Sequence, residues 1–325
     1  MNKDAKHVIP FPSLYAYPYA CHKEEESLCL MELRALFGYE SKPGSGLVVS
    51  ERQLDPSRSP FVKMRIDVSY AATSLKDLTE QVHALALEEG RTFKVQYVKG
   101  DRSVSSRVDY EEERRIERAI GARVRGKAEM RRPDVRFGVL LAGDGRWLFG
   151  ELRENEAVWL RHKAKPRPYS TALSARVARA VVNIAVPDPA CVRAIDPCCG
   201  IGTVLVEALS MGIDIVGSDV NPLAVQGARV NLAHFGYADV VRVQDIREAA
   251  GMYDAAVLDL PYNLCSVLPE PEQLEMLVSV RRLAKRVAVV AIHPIEEALA
   301  QVGFRVTDRC DIRKGGLVRT VYSCE

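Results

Sequence analysis

The chain has 325 residues, of which 47% are hydrophobic and 27% charged, and its formal net charge is +2. This balance is typical of globular proteins and excludes a disordered chain, while the length fits two or three domains. The longest apolar run, residues 287–292, has the size of a strand rather than of a membrane span, and the N-terminus lacks the pattern of a signal peptide.

Eight cysteines are scattered along the chain without metal-ligand spacing. The adjacent pair Cys198 and Cys199 cannot easily chelate an ion, and Cys21, His22 and Cys29 lack a downstream partner pair. The sequence therefore predicts reduced thiols, no metal site, no membrane association and a cytoplasmic location.

The first 58 residues predict a small α+β unit. Residues 14–20 and 47–50 read as strands, and residues 24–37 have the apolar spacing of a helix that ends before Gly38. Residues 52–60, rich in proline and serine, read as a linker.

Residues 59–160 predict a second α+β unit. Its predicted strands are 62–68, 93–98, 135–142 and 146–151, and its predicted helices are 75–87 and 111–124. The turn Gly143-Asp144-Gly145 between the last two strands indicates a hairpin.

A basic stripe crosses this unit, where nine Lys and Arg residues fall within residues 114–136, against Glu117, Glu129 and Asp134. Such a stripe can track a phosphate backbone. A solvated helix face with pairs at spacing i,i+4 explains it equally well. The candidate nucleic-acid contacts are Arg114, Arg118, Arg123, Arg125, Lys127, Arg131 and Arg132.

A stiff extended segment, Arg167-Pro168-Tyr169, precedes an apolar helix predicted over residues 175–184. It reads either as a linker or as a site segment. Arg167 and Tyr169 are candidates in the second case.

The strongest pattern lies in residues 194–221, where strand 192–195 leads through DPCCGIGT (196–203) into helix 204–211 and strand 213–217. Gly200 and Gly202 permit a sharp turn at the carboxyl end of a parallel strand, where α/β sheets bind ligands. The dinucleotide fingerprint G-x-G-x-x-G is excluded, because it requires glycine at Leu205. An ordinary turn between strand and helix remains the alternative to a ligand site.

Carboxylates end four successive predicted strands, which alternate with helices to the end of the chain: Asp196, Asp219, Asp245 and Asp259. An acidic turn suits a ligand with a cationic tail, such as S-adenosylmethionine. Asp196 then meets its ammonium, and Asp219 its ribose hydroxyls. Asp245 is placed near the adenine, or else caps the following helix. Segments 305–313 and 317–323 predict a closing antiparallel hairpin.

The tetrad Asp259-Leu260-Pro261-Tyr262 resembles the [DN]-P-P-[YFW] motif of methyltransferases that act on amino groups. Together with DPCCGIGT (196–203) and GSDVNP (217–222), it is similar to the THUMP-linked RNA methyltransferases, above all the tRNA guanine-N2 group. FKVQYVKGDR (93–102) and residues 116–141 resemble the THUMP domain, and MELRALFG (31–38) is similar to the ferredoxin-like domain that precedes it.

The resemblance implies a Rossmann-like class I methyltransferase domain at 161–325, with a mostly parallel seven-stranded sheet and a C-terminal hairpin. A ferredoxin-like unit (1–58) and a THUMP-like RNA-binding domain (59–160) precede it. The implied reaction is methyl transfer from S-adenosylmethionine to guanosine N2 in tRNA. The implied catalytic residues are Asp259, Leu260, Pro261 and Tyr262. The cofactor residues are Asp196, Pro197, Cys198, Gly200, Gly202, Thr203, Asp219, Val220, Asp245 and Ile246, and Arg167 joins the RNA contacts.

In this scheme Asp259 and a backbone carbonyl of the tetrad accept the two hydrogens of the amino group, and Tyr262 stacks on the base. Two departures from the family pattern stand out. Leu260 replaces the first proline, which predicts a less rigid loop, and Cys198-Cys199 replace an aromatic or small residue followed by a small one.

Three alternatives stay open. The same tetrad suits guanine N2 in ribosomal RNA or adenine N6 in RNA or DNA, because each target is an exocyclic amino group. A cysteine nucleophile of the cytosine-C5 type would use Cys198 or Cys265, although neither has the expected context. A non-catalytic RNA-binding protein with a decayed methyltransferase domain is suggested only by Leu260.

Overall fold

The computed structural model describes residues 14–38, 45–101, 108–169, 171–261, 268–314 and 317–325. Contacts divide these residues into two compact units. Unit 1 comprises residues 14–20, 45–57 and 61–156, and unit 2 comprises residues 21–38, 58–60 and 157–325, within the described ranges.

The described ranges contain the following α-helices: α1 (Glu26–Phe37), α2 (Leu75–Val82), α3 (Tyr110–Gly121), α4 (Ala175–Ala185), α5 (Thr203–Ser210), α6 (Pro222–His234), α7 (Glu270–Leu283) and α8 (Glu296–Gln301). The strands of unit 1 are β1 (Tyr15–Pro18), β2 (Leu47–Ser50), β3 (Met64–Ala72), β4 (Thr92–Tyr97), β5 (Lys127–Ala128), β6 (Val135–Leu141) and β7 (Trp147–Glu154). Those of unit 2 are β8 (Arg193–Asp196), β9 (Asp214–Asp219), β10 (Val241–Val243), β11 (Tyr253–Asp259), β12 (Ala284–Ala291), β13 (Val306–Lys314) and β14 (Leu317–Cys324).

Unit 1 is built on one seven-stranded sheet in the order β2-β1-β3-β7-β6-β4-β5. The predicted hairpin is confirmed, since β6 and β7 pair antiparallel with Leu141 opposite Trp147, and Gly145 in the turn has a φ of +85°. Strand β1 pairs with β2 on one side and with β3 on the other. Strands from residues 1–58 and 59–160 therefore share one sheet.

Helices α2 and α3 cover this sheet with the apolar faces that their spacing predicts. Ile116 and Ile120 of α3 are buried in one cluster with Leu78 of α2 and Phe137 of β6. Helix α3 begins at an Asp109 cap, whose carboxylate accepts the backbone N–H of Glu112 at 2.9 Å. Most charged side chains of α3 are exposed, whereas Glu117 accepts the backbone N–H of Tyr97 on β4 at 2.9 Å.

Unit 2 contains a second seven-stranded sheet, in the order β10-β9-β8-β11-β12-β14-β13. Strands β8 to β12 are parallel, and β14 and β13 close the edge antiparallel. This is the class I methyltransferase arrangement, so the predicted α/β Rossmann-like fold with a C-terminal hairpin is confirmed. The strand order reverses between β8 and β11, which is where such sheets bind ligands.

Helix α1 packs within unit 2, against α4 and β13. Its Arg34 forms a bidentate ion pair with Asp308 on β13, at 2.8 and 3.1 Å. Its buried Glu32 accepts hydrogen bonds from Asn183 of α4 and from Ser59, each at 2.6 Å. Ser59 and Arg58 are buried in what the sequence predicted as a linker.

Helices α7 and α8 lie where the sequence predicted alternation of strands and helices without giving ranges for these helices. The division into three domains at residues 58 and 160 remains a prediction. Throughout the described ranges, no helix has the length and apolarity needed to cross a bilayer.

Candidate active site

The glycine-rich turn connects β8 to α5 in a shape that only glycine adopts easily. Gly200 and Gly202 have φ angles of +52° and +77°. The backbone N–H of Gly200 donates to Asp219 Oδ2 at 2.8 Å, and the other oxygen of Asp219 accepts the N–H of Asn221 at 2.9 Å. Asp219 therefore holds the turn and the end of β9 together.

Leu205, the residue that breaks the dinucleotide fingerprint, has a packing role. A Cβ atom on Gly217 of β9 would lie 2.6 Å from Leu205 Cδ1. The glycine therefore leaves the space on the strand that the leucine side chain of α5 occupies. Gly202 similarly faces α6, where an added Cβ would lie 3.2 Å from the Cβ of Ala228. These close contacts with β9 and α6 hold the turn and the start of α5 in place.

Three carboxylates share the carboxyl edge of the sheet. Asp196 is 2% exposed, and burial, together with the charges of Asp259 and Asp219, raises its pKa well above the usual range. Burial also raises the pKa of Asp259 to about 7, although Arg319 opposes the shift. Such a cluster of buried carboxyl groups favours a cationic ligand, which would relieve the repulsion.

Asp245, at the end of the next segment, is held by an arginine. Its carboxylate pairs with the guanidinium of Arg247 at 2.6 Å, which lowers the pKa of Asp245. Arg247 also reaches Glu275 on α7 at 3.0 Å. Asp245 Oδ1 accepts the backbone N–H of Arg247 at 2.9 Å. This bond closes a turn at residues 246–248 and not the start of a helix, so the predicted helix cap is wrong, whereas Asp245 and Ile246 both line the cavity described below.

The tetrad begins where β11 ends. Asp259 Oδ1 is buried and accepts no hydrogen bond within the described ranges, which leaves it available to a donor from a ligand. Leu260 is 4% exposed, and its N–H donates to the carbonyl of Val290 at 3.0 Å. The departure from proline thus adds an anchor that proline lacks. Pro261 is exposed, and Tyr262, Asn263 and Cys265 lie outside the described residues.

The segment Arg167-Pro168-Tyr169 lines the same cavity. Asn231 of α6, fully buried, accepts the N–H of Arg167 at 2.9 Å and donates to the carbonyls of Arg167 and Ile201 at 3.0 and 2.9 Å. One amide therefore ties this segment to the glycine turn. Sequence reasoning missed Asn231, because a polar residue inside a helix resembles a surface position.

These elements enclose a cavity of about 630 Å³, a size typical of small-molecule and cofactor sites. The described catalytic candidates Asp259, Leu260 and Pro261 line it, together with Arg167. Among the predicted cofactor residues, those that line it are Asp196, Pro197, Cys198, Gly200, Thr203, Asp219, Val220, Asp245 and Ile246. Gly202 instead supports the turn against α6.

The predicted basic stripe lies in unit 1 and is partly paired within it. Arg114 bonds to Glu117 at 2.9 Å and to Tyr110 at 3.1 Å, and Arg118 donates to the carbonyl of Arg114. Other members of the stripe are exposed, and the predicted contacts in this group are Arg123, Arg125, Lys127, Arg131 and Arg132. The paired part of the stripe is a solvated helix face, and contact of the exposed part with a nucleic acid stays a prediction.

The chain is similar to known methyltransferases. Residues 162–287 match the family model described as UPF0020: RMKL-like, methyltransferase domain. A tRNA (guanine(10)-N2)-dimethyltransferase from Pyrococcus abyssi is 30% identical over 61% of this chain and 64% of its own length. A protein of the same name from Methanothermobacter thermautotrophicus is 28% identical over 74% of this chain and 76% of its own length.

The crystal structure of TrmN from Thermus thermophilus is 19% identical, covers 96% of this chain and 99% of its own, and has a TM-score of 0.46. The fold is shown by the strand order of the second sheet. The chain spans less than two thirds of the length of the Pyrococcus abyssi relative. Residues 162–287 are thus similar to a methyltransferase family model, and they contain strands β8 to β11 and the residues that line the cavity.

Proposed function

We propose that this protein transfers a methyl group from S-adenosylmethionine to N2 of guanosine in tRNA. The observation that carries the proposal is the convergence of Asp196, Asp219 and Asp259 on one cavity at the switch point of the sheet. The two relatives named tRNA (guanine(10)-N2)-dimethyltransferase support the choice of substrate.

The cavity fits the methyl donor. Buried Asp196 would hold its ammonium group, and Asp219, with acceptor capacity left beside the two backbone N–H groups it binds, would hold the ribose hydroxyls. Asp245 and Ile246 would lie along the adenine, with exposed Val220 on the other side of the cavity. When bound, the donor supplies an electrophilic methyl group.

Asp259 would act on the target. The lone pair of an exocyclic amino group is conjugated to the ring and is therefore a poor nucleophile. Asp259 Oδ1, a buried acceptor, would take one N–H of that group, and the carbonyl of the tetrad would take the other. This orients the lone pair and stabilises positive charge as it develops. Tyr262 is proposed to stack on the base.

Unit 1 would hold the RNA through the exposed part of its basic stripe, in keeping with a THUMP-like role for residues 59–160. We place this reaction in the cytoplasm. The stripe supports RNA binding without selecting a sequence, since phosphate contacts position a nucleic acid but carry no base information.

The test is methyl transfer with labelled donor and unmodified tRNA, followed by digestion and identification of the nucleoside. We expect N2-methylated guanosine. Asp259→Ala should reduce the rate by about 100-fold or more, as expected for loss of a group that acts on the transition state. Asp254→Ala, an exposed carboxylate at the opposite end of β11, is the matched control and should retain activity.

Several outcomes would contradict the proposal. Label in adenine N6, or in ribosomal RNA alone, would move the substrate to an alternative with the same tetrad chemistry. Full activity of a folded Asp259→Ala protein would remove the role of Asp259. Failure to bind S-adenosylmethionine in calorimetry, with and without tRNA, would favour a non-catalytic RNA-binding protein.

A further inference from the structure

A buried arginine, Arg319, lies beside the candidate active site on β14, two strands away from β11 in the sheet. It lies near the start of β14, which runs antiparallel to β12, so its position is at the carboxyl edge of the parallel strands. Arg319 is 6% exposed. A buried guanidinium at a ligand-binding edge is costly unless it serves a defined partner.

The strand register places Arg319 on the same face as Asp259. Asp259 on β11 lies opposite Val290 on β12, and Val290 lies opposite Val321 on β14. Arg319 is two residues before Val321, and alternate residues of a strand share a face. The two side chains thus project from one face, two strand spacings (roughly 10 Å) apart across the sheet and two residues (roughly 7 Å) apart along it.

The guanidinium of Arg319 also contacts the wall of the cavity. Its Nη2 donates to the backbone carbonyl of Thr171 at 2.8 Å, and Thr171 lines the cavity together with Asp259. One positive group therefore connects the segment before α4 with the carboxylate at the end of β11. The electrostatic interaction is mutual: Arg319 opposes the upward shift of the Asp259 pKa, and Asp259 opposes the downward shift of the Arg319 pKa.

We propose that Arg319 is a positioning residue for methyl transfer, which holds Asp259 as a carboxylate facing the target amino group and fixes the cavity wall at Thr171. This inference rests on the proposed function. A protonated Asp259 would present a donor where an acceptor is required. Because the positive charge of Arg319 favours the carboxylate form of Asp259, it increases the fraction of protein that can act on the amino group.

Other charged side chains line the same cavity: the carboxylates Asp196, Asp219, Asp245 and Glu272, and the arginines Arg167 and Arg247. Arg247 is paired with Asp245 and Glu275, and the cation whose charge acts on the pKa of Asp259 is Arg319. Three arginines on α4 and β12 are engaged elsewhere, in the pairs Arg176–Glu25, Arg179–Glu207 and Arg286–Glu325.

The first experiment measures the Asp259 carboxyl directly. Protein labelled with ¹³C at aspartate carboxyls is titrated between pH 5 and 9, and the Asp259 resonance is assigned by its loss in Asp259→Asn. Arg319→Gln should raise the midpoint by about one pH unit or more, as expected when an opposite charge is removed. Arg319→Lys should raise it less, and Arg286→Gln, an exposed arginine at the other end of β12, should leave it unchanged.

The second experiment follows the rate of methyl transfer against pH. The rate should rise as Asp259 ionises, so a one-unit shift in Arg319→Gln should lower the rate about 5-fold near pH 7, with recovery toward pH 9 in step with the shifted midpoint. A role confined to folding would lower the rate equally at every pH. If Arg319→Gln does not fold, Arg319→Lys carries the same test with a smaller expected shift.

An unchanged Asp259 midpoint in both Arg319 variants overturns the inference. This outcome is distinct from failure of the proposed function. If the wild-type protein methylates no guanosine, the function fails, but the carboxyl titration still reports whether Arg319 controls the ionisation of Asp259.

Discussion

Asp219 accepts the backbone N–H of Gly200 at 2.8 Å, and this bond ties the end of one strand to the turn that follows another. The turn itself has φ angles that an L side chain rarely adopts. The carboxylate therefore shapes the cavity as well as facing it. We therefore expect a change at Asp219 to act on donor binding in two ways, through the turn and through the lost acceptor.

Replacement of Asp219 should weaken donor affinity. We expect Asp219→Ala to reduce binding of S-adenosylmethionine by about 10- to 100-fold, the range for loss of hydrogen bonds to a charged group. Calorimetry measures the effect. Asp214→Ala, at the exposed start of the same strand, should bind as the wild type does, and equal affinity in both variants would refute the ribose-binding role.

Replacement of Leu260 by proline, the residue that the resembled motif has at this position, should destabilise the protein. Leu260→Pro removes the N–H that donates to Val290 and a side chain buried in the core, so the free energy of unfolding should fall by about 2–4 kcal/mol. Leu260→Met keeps the N–H and the volume and should cost less than about 1.5 kcal/mol. Urea denaturation distinguishes these, and a more stable Leu260→Pro protein would contradict the anchor described above.

Glu32 should make stability depend on pH. Burial raises the pKa of Glu32 in the folded protein to about 7, from the ordinary glutamate value of 4.5. The folded state then binds the proton more tightly than the unfolded state, so this contribution is fully present below pH 4.5 and is lost as pH rises through about 7. Above that pH, Glu32→Gln should be more stable than the wild type by about 1–3 kcal/mol.

The check on Glu32 is the difference in unfolding free energy between variant and wild type, measured by denaturant titration from pH 5 to 8. This difference should change over that window for Glu32→Gln. It should stay constant for Glu24→Gln, an exposed residue just before α1. A flat difference for both variants would mean that Glu32 does not titrate there.

Arg131 and Arg132 test the RNA surface. Both are exposed at the end of the basic stripe, so the double change to Gln should weaken tRNA binding and reduce the slope of log affinity against log salt by about 1–2. Binding is measured over a series of salt concentrations. The matched double variant Lys76→Gln with Arg146→Gln removes two charges elsewhere in unit 1 and should keep the wild-type slope.

Much of the fold follows from local patterns. The observed bounds of β2, of the β6–β7 hairpin and of the glycine turn are close to those predicted, because each depends on residues within a few positions. Four strand-end carboxylates were expected at one edge, and they line one cavity, because parallel strands all end there.

The missed site residues depend on long-range contacts. Asn231 meets Arg167 across 64 residues, and Arg319 meets Thr171 across 148 residues. No short pattern marks a helical amide or a strand arginine as part of a site. Likewise, the strand–helix–strand order of residues 14–50 suggested a separate unit, because sequence patterns do not tell which sheet a helix covers.

Helix α1 has a consequence for synthesis of the protein. Glu32 meets Asn183, which follows 151 residues later, and Arg34 meets Asp308, which follows 274 residues later. The helix therefore leaves the ribosome long before the surfaces that bury it. Unit 2 is consequently assembled from segments that lie far apart in the chain, and a fragment starting at residue 161 would lack one of the helices of its core.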